Sequence, residues 1–308
     1  MSDLSAGFLS IGKIPTQDLK QIVDDAMQTI DQKTGEQKRS NITERMEKVL
    51  KADSETVVIL RDHRPIGFIA FKPNGNEALL TFGHALFTDD RCAQKVLRTA
   101  IDALVGRGYK IIMSTFNWPA RKSFDQAASA TGFARVERMD MNRESDPGRA
   151  ISKPPDDIDF RPWLPAYFDA VAKVQFENSF PEDQVINPQS KTLDGSRRHL
   201  QNIIDNHYGE FSNDLSSVAL QDGESVGFLL ASVISGGAIL IVELAVDHNF
   251  RGRGIASYMV QGLIAGNDAA RGPIELTVTL SNREAVRLYE RSGFRVKATV
   301  TYHILAFE

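Results

Sequence analysis

The chain has 308 residues, 42% of them hydrophobic and 25% charged, with a formal net charge of −4, which suits a globular protein of two domains of about 150 residues. The slight negative charge gives no reason to expect a nucleic-acid or membrane partner, and no apolar run reaches transmembrane length. The single cysteine, Cys92, excludes an internal disulfide and the six histidines lack metal-ligand spacing, so we expect a cytoplasmic protein without a metal.

The first half of the chain is predicted to alternate strands with helices. The predicted elements are, in chain order, a strand at 8–11, helices at 17–30 and 42–51, paired strands at 56–61 and 66–71, a helix at 94–105, a strand at 109–114 and a helix that ends near 131. Residues 144–157 combine serine, proline and glycine with Lys-Pro-Pro and Asp-Asp, a composition typical of a linker.

The second half repeats this order. Its predicted elements are a strand at 159–163, helices at 164–176 and 195–206, a hairpin of 217–221 and 225–233, a strand at 238–246, a helix from 255, a strand at 273–279 and a helix that ends near 292. The sequence Ile66-Gly-Phe also recurs as Val226-Gly-Phe. We therefore predict the same α/β fold twice, as domains at 1–143 and 158–308 joined by a linker at 144–157.

A glycine-rich turn follows the strand at 238–246. Its sequence, Arg251-Gly252-Arg253-Gly254-Ile255-Ala256, leads directly into the next helix. Glycines let successive backbone N–H groups converge, and the helix N-terminus adds partial positive charge, so such a turn favours a phosphate or pyrophosphate. The spacing fits neither a dinucleotide-binding motif nor a P-loop. An ordinary strand-to-helix turn with two solvated arginines is the alternative.

A second motif follows the strand at 273–279. Asn282 is a suitable N-cap for a helix, Tyr289 lies on the apolar face of that helix, and Gly293 is a suitable residue to end it. Tyr289 is either a functional hydroxyl or a core aromatic residue whose hydroxyl is hydrogen-bonded.

Together the two motifs resemble the GNAT superfamily of acyl-CoA-dependent N-acyltransferases. Arg251, Gly254 and Ala256 occupy the three fixed positions of its Gln/Arg-x-x-Gly-x-Gly/Ala signature, and the segment from Asn282 is similar to the one that clamps the other side of the cofactor. The resemblance implies a mixed-sheet α+β fold that uses acetyl-CoA and no metal, with Tyr289 as the general acid that protonates the departing thiolate. The residues that it implies for cofactor binding are Leu244, Ala245, Val246, Arg251, Gly252, Arg253, Gly254, Ile255, Ala256, Ser257 and Asn282.

Glu243 is the only charged residue in the apolar strand at 238–246. Apolar neighbours disfavour the charged form of a carboxylate, which would make this side chain a stronger proton acceptor. The resemblance implies that an acidic residue on this strand is the base that deprotonates the acceptor amine. An ion pair between Glu243 and an arginine of the first half is an equally good interpretation.

The first half is predicted to lack the cofactor site. Counting back from Arg107-Gly108 places Asp89-Asp90 where the second half has its glycine turn, and Ala128 falls at the position of Tyr289. Carboxylates at that point would repel a pyrophosphate. The chain therefore resembles a tandem GNAT protein with a degenerate first copy and a working second copy.

The sequence leaves the acceptor open. The segment at 177–183 carries Glu177, Glu182 and Asp183 beside aromatic residues; it could attract a cationic amine but is more simply a solvated loop. Residues 295–308 lack a turn signal, which predicts one long final strand. The resemblance favours an N-acetyltransferase that acts on a primary amine of a small molecule or peptide. A non-catalytic acyl-CoA sensor and a transferase of a larger acyl group are the alternatives.

Overall fold

A computed structural model describes residues 4–33, 36–51, 54–86, 90–114, 121–144, 151–267 and 272–307. The fold is a mixed α/β structure, as predicted. Its residues group into two compact units, of which unit 1 comprises Met1–Val136 with Thr301–Glu308 and unit 2 comprises Glu137–Val300. No helix in the described part of the chain is long and apolar enough to span a membrane.

The first half of the chain supplies most of unit 1. Its elements are β1 (Leu4–Ser10), α1 (Thr16–Lys33), α2 (Glu36–Lys51), β2 (Glu55–Arg61), β3 (Arg64–Asn74), β4 (Glu77–Ala85), α3 (Asp90–Gly106), β5 (Ile111–Ser114), α4 (Arg121–Ala130) and β6 (Ala134–Arg143). Strands β1 to β5 are neighbours in numerical order; β1 to β4 are antiparallel, and β5 is parallel to β4. The helix predicted at 94–105 is confirmed as α3, and five residues on one face of it are buried in the core: Val96, Leu97, Ala100, Ile101 and Leu104.

The second half repeats the order of these elements. They are β7 (Asp159–Pro162), α5 (Phe168–Asn178), α6 (Pro181–Ile186), α7 (Leu193–Ile204), β8 (Glu210–Phe211), β9 (Ser217–Gln221), β10 (Glu224–Val233), β11 (Ile239–Val246), α8 (Ile255–Gly266), β12 (Ile274–Thr279), α9 (Arg283–Arg291) and β13 (Arg295–Ala306). The strand order in unit 2 is β6-β12-β11-β10-β9-β7, and β8 pairs with β10. The predicted hairpin around Asp222-Gly223 is confirmed as β9 and β10.

The sheet of unit 2 separates two apolar cores. The first lies between the sheet and helices α8 and α9 and includes Leu229, Ile241, Val260, Leu276 and Val286. The second lies between the sheet and helices α5 and α7 and includes Val171, Leu200, Val218, Phe228 and Leu230. Because successive residues of β10 enter opposite cores, this strand is apolar on both faces.

Each unit includes the strand that ends the other half of the sequence. In unit 2, β6 is antiparallel to β12, with Arg138 opposite Thr279. In unit 1, the end of β13 is antiparallel to β5, with His303 opposite Ser114. β13 has twelve residues without a turn, so the predicted long final strand is confirmed. The predicted domain boundaries follow the repeat in the sequence, whereas the compact units follow this strand pairing; residues 145–150 of the predicted linker lie outside the described residues.

The contribution of β6 to unit 2 can be measured at Met141, which is 1% exposed and packs in the core with α8 and α9. We expect Met141→Ala to lower the free energy of unfolding of unit 2 by about 2–5 kcal/mol, because it leaves a cavity in that core. Urea unfolding followed by the fluorescence of Trp163, a buried residue of unit 2, in a Trp118→Phe background would measure this loss.

The matched control for this variant is Asp140→Asn, on the same strand. Asp140 accepts a hydrogen bond from the Thr277 hydroxyl at 2.7 Å, and an asparagine oxygen can accept the same bond. A loss in Met141→Ala no larger than that in Asp140→Asn would contradict the assignment of β6 to this core.

Candidate functional site

The sheet of unit 2 opens between two parallel strands, β11 and β12. They pair only at Ile239 with Ile274 and at Leu240 with Glu275. β11 continues to Val246, but within the described residues it has no further pairing with β12. The backbone N–H and C=O groups along this edge of β11 are therefore available to an extended ligand, as strand edges are in peptide recognition.

The glycine turn lies at the end of β11, directly before α8. Gly252 has φ 76° and Gly254, the residue that precedes the helix, has φ 85°. These angles favour glycine, because other residues are strained in this region. The first hydrogen bond of the helix runs from the Tyr258 N–H to the Gly254 carbonyl at 2.9 Å, so the N–H groups of residues 255–257 precede the helical pattern. The turn and the helix N-terminus together form a suitable site for an anion.

The two arginines of the turn are hydrogen-bonded within unit 2. Arg251 donates to the Val246 carbonyl at 3.2 Å. Arg253 donates to the Gln221 side chain at 3.1 Å and to the Asp156 carbonyl at 3.3 Å. Their guanidinium groups therefore brace the turn as well as adding positive charge to it, a role that the sequence did not indicate.

Helix α9 follows β12 and carries Tyr289. The predicted cap is confirmed, because the Asn282 side chain accepts a hydrogen bond from the Ala285 N–H at 3.2 Å. Tyr289 is 7% exposed, and its ring meets that of Phe294 edge to face at 5.6 Å. Burial raises the pKa of Tyr289 well above its usual range, and the charge of Glu243 acts in the same direction. The phenol therefore keeps its proton at neutral pH and is available as a donor.

Glu243 lies at an irregularity in β11. Glu243 is opposite Leu230, but Ile241 is opposite Ala231, so Val242 is an extra residue in β11. The bulge shifts the alternation of side chains: Ile241 and Leu244, three residues apart, both pack with α8 and α9, whereas Val242 and Ala245 pack with α5 and α7. It places the Glu243 carboxylate on the side of α7.

The partner of Glu243 is a histidine of the same unit. The Nε2 atom of His199, on α7, lies 3.1 Å from Glu243 Oε2. This contact replaces the ion pair with an arginine of the first half that the sequence allowed. The sequence analysis did not identify His199 as a site residue. Its spacing could have indicated an inward-facing side chain, because it lies three residues after Ser196 and four before Ile203 on the helix, and both of these are fully buried.

The acidic residues before α7 are tied to the end of β12. The Thr279 hydroxyl donates to Asp183 at 2.5 Å, and the Ser281 hydroxyl donates to Glu182 at 3.1 Å. Both carboxylates belong to α6, so the interpretation of this stretch as a solvated loop was wrong for them. Burial raises the pKa of Asp183, the charges of Glu243 and Glu182 add to this effect, and the Thr279 hydrogen bond and Arg138 oppose it.

Arg138 of β6 is the cation of this group. Its Nη2 donates to the Thr277 carbonyl at 3.1 Å, and its charge acts on both Asp183 and Tyr289. In the described residues no group of three His, Cys, Asp or Glu side chains is arranged to hold a metal ion. The arrangement instead brings together a buried phenol, a carboxylate with a histidine partner, and an opening in the sheet that ends at an anion site.

A comparison with known protein families gives a match in the second half of the chain. Residues 181–294 match the model of the Acetyltransferase (GNAT) family. Residues 181–294 are therefore similar to a GNAT acetyltransferase domain. The match contains the cap, turn and tyrosine motifs on which the resemblance was based, and that resemblance is confirmed. No curated protein gives a significant match to the sequence.

Solved structures extend the fold to the rest of the chain. A GCN5-related N-acetyltransferase from Sphaerobacter thermophilus has a TM-score of 0.56 at 17% identity, over 98% of this chain and 95% of that chain. A functionally unknown conserved protein from Staphylococcus epidermidis has a TM-score of 0.53 at 13% identity, over 79% of this chain and 92% of that chain. Similarity at these identities shows the fold alone, and the coverage includes both halves.

The first half has the same fold, but its sequence lacks the glycine turn before the helix and the tyrosine that belong to the candidate site of unit 2. No glycine occurs between β4 and α3, and α3 begins at an acidic residue, Asp90. Asp89 lies outside the described residues. Ala128, at the position that corresponds to Tyr289, is fully buried in the core of unit 1. The prediction that this half lacks a cofactor site remains a prediction.

The raised pKa of Asp183 predicts a specific effect on stability. Between the unfolded and the folded pKa the folded state binds more protons than the unfolded state, so this residue lowers stability as the pH rises through that window. Asp183→Asn removes the charge and keeps an acceptor for Thr279. We expect the free energy of unfolding of this variant, relative to that of the parent, to increase from about pH 4 to pH 7.

Urea unfolding at a series of pH values would measure this difference. Asp214→Asn is the control, since Asp214 is exposed, and its difference from the parent should stay constant. A flat difference for Asp183→Asn as well would contradict a raised pKa at this position.

Proposed function

We propose that the chain is an N-acetyltransferase that moves an acetyl group from acetyl-CoA to a primary amine of a small molecule or peptide. One observation carries the proposal. The opening between β11 and β12 ends at the glycine turn, and the charges of Glu243 and Asp183 act on Tyr289. An extended thioester with a phosphate at one end fits this arrangement, and no other opening in the described residues combines these features.

The cofactor would bind along β11 and into the turn. Its pyrophosphate would accept hydrogen bonds from the N–H groups of Gly252 to Ser257, and its pantetheine arm would lie along the edge of β11 at Leu244 to Val246. The Val246 carbonyl, which already accepts from Arg251, would not take part in that pairing. The residues fit such a ligand, because a side chain added at Gly254 would meet no atom closer than Pro155 Cγ at 3.9 Å, which leaves room beside the helix N-terminus. Asn282 would act by capping α9 and so fixing Tyr289.

The chemistry requires one proton to leave the amine before attack. An alkyl ammonium has a pKa near 10.4, so a base is needed at neutral pH. Glu243 takes that proton, directly or through a water molecule, and the free amine attacks the thioester carbonyl. The tetrahedral intermediate then collapses to the amide, the C–S bond breaks, and Tyr289 gives its proton to the thiolate. The proton that remains on the amide nitrogen returns to the tyrosine, so each turnover releases one proton to solvent.

The cofactor site can be tested with one substitution in the turn. We expect Gly254→Glu to abolish acetyl-CoA binding, because it places a carboxylate where the pyrophosphate would lie. Isothermal titration calorimetry should give one site per chain for the parent and none for the variant, since the first half has no such turn.

The matched control is Gly236→Glu in the same unit. Gly236 also has a positive φ, of 80°, with no atom within 4 Å of an added side chain, so the substitution introduces the same kind of backbone strain elsewhere. Acetyl-CoA affinity within a few-fold of the parent is expected for it. Tight binding by Gly254→Glu, or two sites in the parent, would contradict the proposal.

Tyr289→Phe distinguishes an enzyme from a protein that only binds acyl-CoA. The ring packing against Phe294 is kept, but the proton donor is lost. We expect turnover to fall by about 10²- to 10⁴-fold while the dissociation constant of acetyl-CoA stays within a few-fold of the parent.

The assay would follow thiol release from acetyl-CoA over a panel of amines. Repeating it with longer acyl-CoA donors would show whether a larger acyl group is preferred. Unchanged turnover in Tyr289→Phe would remove this residue as the acid, and absence of turnover in the parent with every amine and donor would favour a sensor.

A further inference from the structure

We propose that His199 is a positioning residue that holds Glu243 with one carboxylate oxygen bonded and the other directed to the acceptor amine. The inference rests on the proposed function, in which Glu243 is the base. It adds a residue that lies outside the two sequence motifs described above, and it assigns the tautomer of that histidine.

The contacts of His199 run from the site to the surface of unit 2. Its side chain is 12% exposed, with Nε2 at 3.1 Å from Glu243 Oε2. Its other ring nitrogen, Nδ1, lies 3.4 Å from the hydroxyl of Tyr208 and 3.5 Å from the amide nitrogen of Asn187. The rings of His199 and Tyr208 also meet edge to face at 5.6 Å. The imidazole is therefore held on both sides, by groups from three segments of the chain.

These partners determine which ring nitrogen carries the hydrogen. The Asn187 nitrogen can only donate a hydrogen bond, and the Tyr208 hydroxyl can donate one as well. The Glu243 carboxylate can only accept, so Nε2 carries the hydrogen in the neutral imidazole, and the single lone pair of Nδ1 accepts from Tyr208 or Asn187. The Nε2–H group then donates to Glu243 Oε2, and the second carboxylate oxygen remains for the proton of the amine.

The bulge in β11 makes this contact possible. If the strand were regular, alternation after Val242 would direct Glu243 into the core with α8 and α9, on the opposite side from α7. The bulge and His199 are therefore two parts of one arrangement. The first selects the face of the sheet on which the carboxylate lies, and the second selects its rotamer.

The groups around Glu243 explain why this carboxylate needs a hydrogen-bond donor. Glu243 is faced by Asp183 on α6 and by Tyr289 on α9, and Arg138 on β6 acts on both of these. A hydrogen bond donated to a carboxylate favours its charged form. A variant without the donor should therefore need a higher pH for full activity.

The first experiment compares two substitutions at the same position. His199→Leu removes the donor, and His199→Gln places an amide N–H within reach of Glu243. For His199→Leu we expect kcat/KM for the amine to fall at least about tenfold, less than the loss of the base itself would cause. The acid limb of its pH profile should move up by about one pH unit, and the dissociation constant of acetyl-CoA should not change. His199→Gln should restore most of the rate and the position of the limb.

Two further variants separate the possible causes of a loss. His207→Gln, at an exposed histidine outside the site, should match the parent in rate and pH profile. Glu243→Gln should remove the acid limb altogether. If Glu243→Gln retains the parent's rate, the proposed base is wrong; if it loses the rate but His199→Leu keeps both rate and profile, only the positioning role is wrong. Equal losses in His199→Leu and His199→Gln, with equal falls in melting temperature, would also overturn it.

The tautomer of His199 can be tested without an enzymatic assay. Long-range ¹⁵N–¹H NMR of the histidine side chains distinguishes the two neutral tautomers, with His199→Gln providing the assignment. We expect the Nε2–H tautomer in the parent and a change in its signal in Glu243→Gln. An Nδ1–H tautomer, or a signal that ignores Glu243→Gln, would overturn the inference even if no acceptor amine had been found.

Discussion

β11 and β12 pair at only two positions, and the site depends on the separation of the two strands beyond them. Backbone N–H and C=O groups that lie inside a protein must be satisfied, so a strand edge left free in a sheet has to meet water or a ligand. The features of the site all lie around this opening. The glycine turn begins where β11 ends, α9 follows the end of β12, and α6 is joined to that same end by the hydroxyls of Thr279 and Ser281.

Because β12 pairs so little with β11, its place in the sheet depends on its other neighbour, β6. All six residues of β12 pair with β6, from Ile274 to Thr279, so the strand stays in the sheet although it has almost left β11. β6 also brings Arg138 to the group that contains Tyr289 and Asp183. The first half of the chain thus contributes both a structural partner and a charge to unit 2, although its sequence has no glycine between β4 and α3.

The sequence was sufficient for features that depend on neighbouring residues. A glycine turn before α8 and an asparagine cap before α9 follow from local backbone chemistry, and they were predicted at 251–256 and at Asn282. Contacts between distant residues were not accessible in this way: His199 and Glu243 are 44 positions apart, and their contact depends on a bulge that the apolar run of β11 does not reveal. The strand β6 was not predicted, and its pairing could not have been derived from the sequence either, because a strand of this kind fits the edge of either sheet.

The exchange of final strands sets the order in which the two sheets can be completed. A chain emerging from the ribosome presents β5 long before β13, so β5 keeps one open edge until the whole of unit 2 has been synthesised. Unit 1 can therefore be completed only after the end of the chain has been synthesised, and contacts of such long range slow folding. During that interval the exposed edge is a site where two nascent chains could pair with each other. The connectivity of the fold, rather than any single residue, therefore leaves β5 without its partner strand until the end of synthesis.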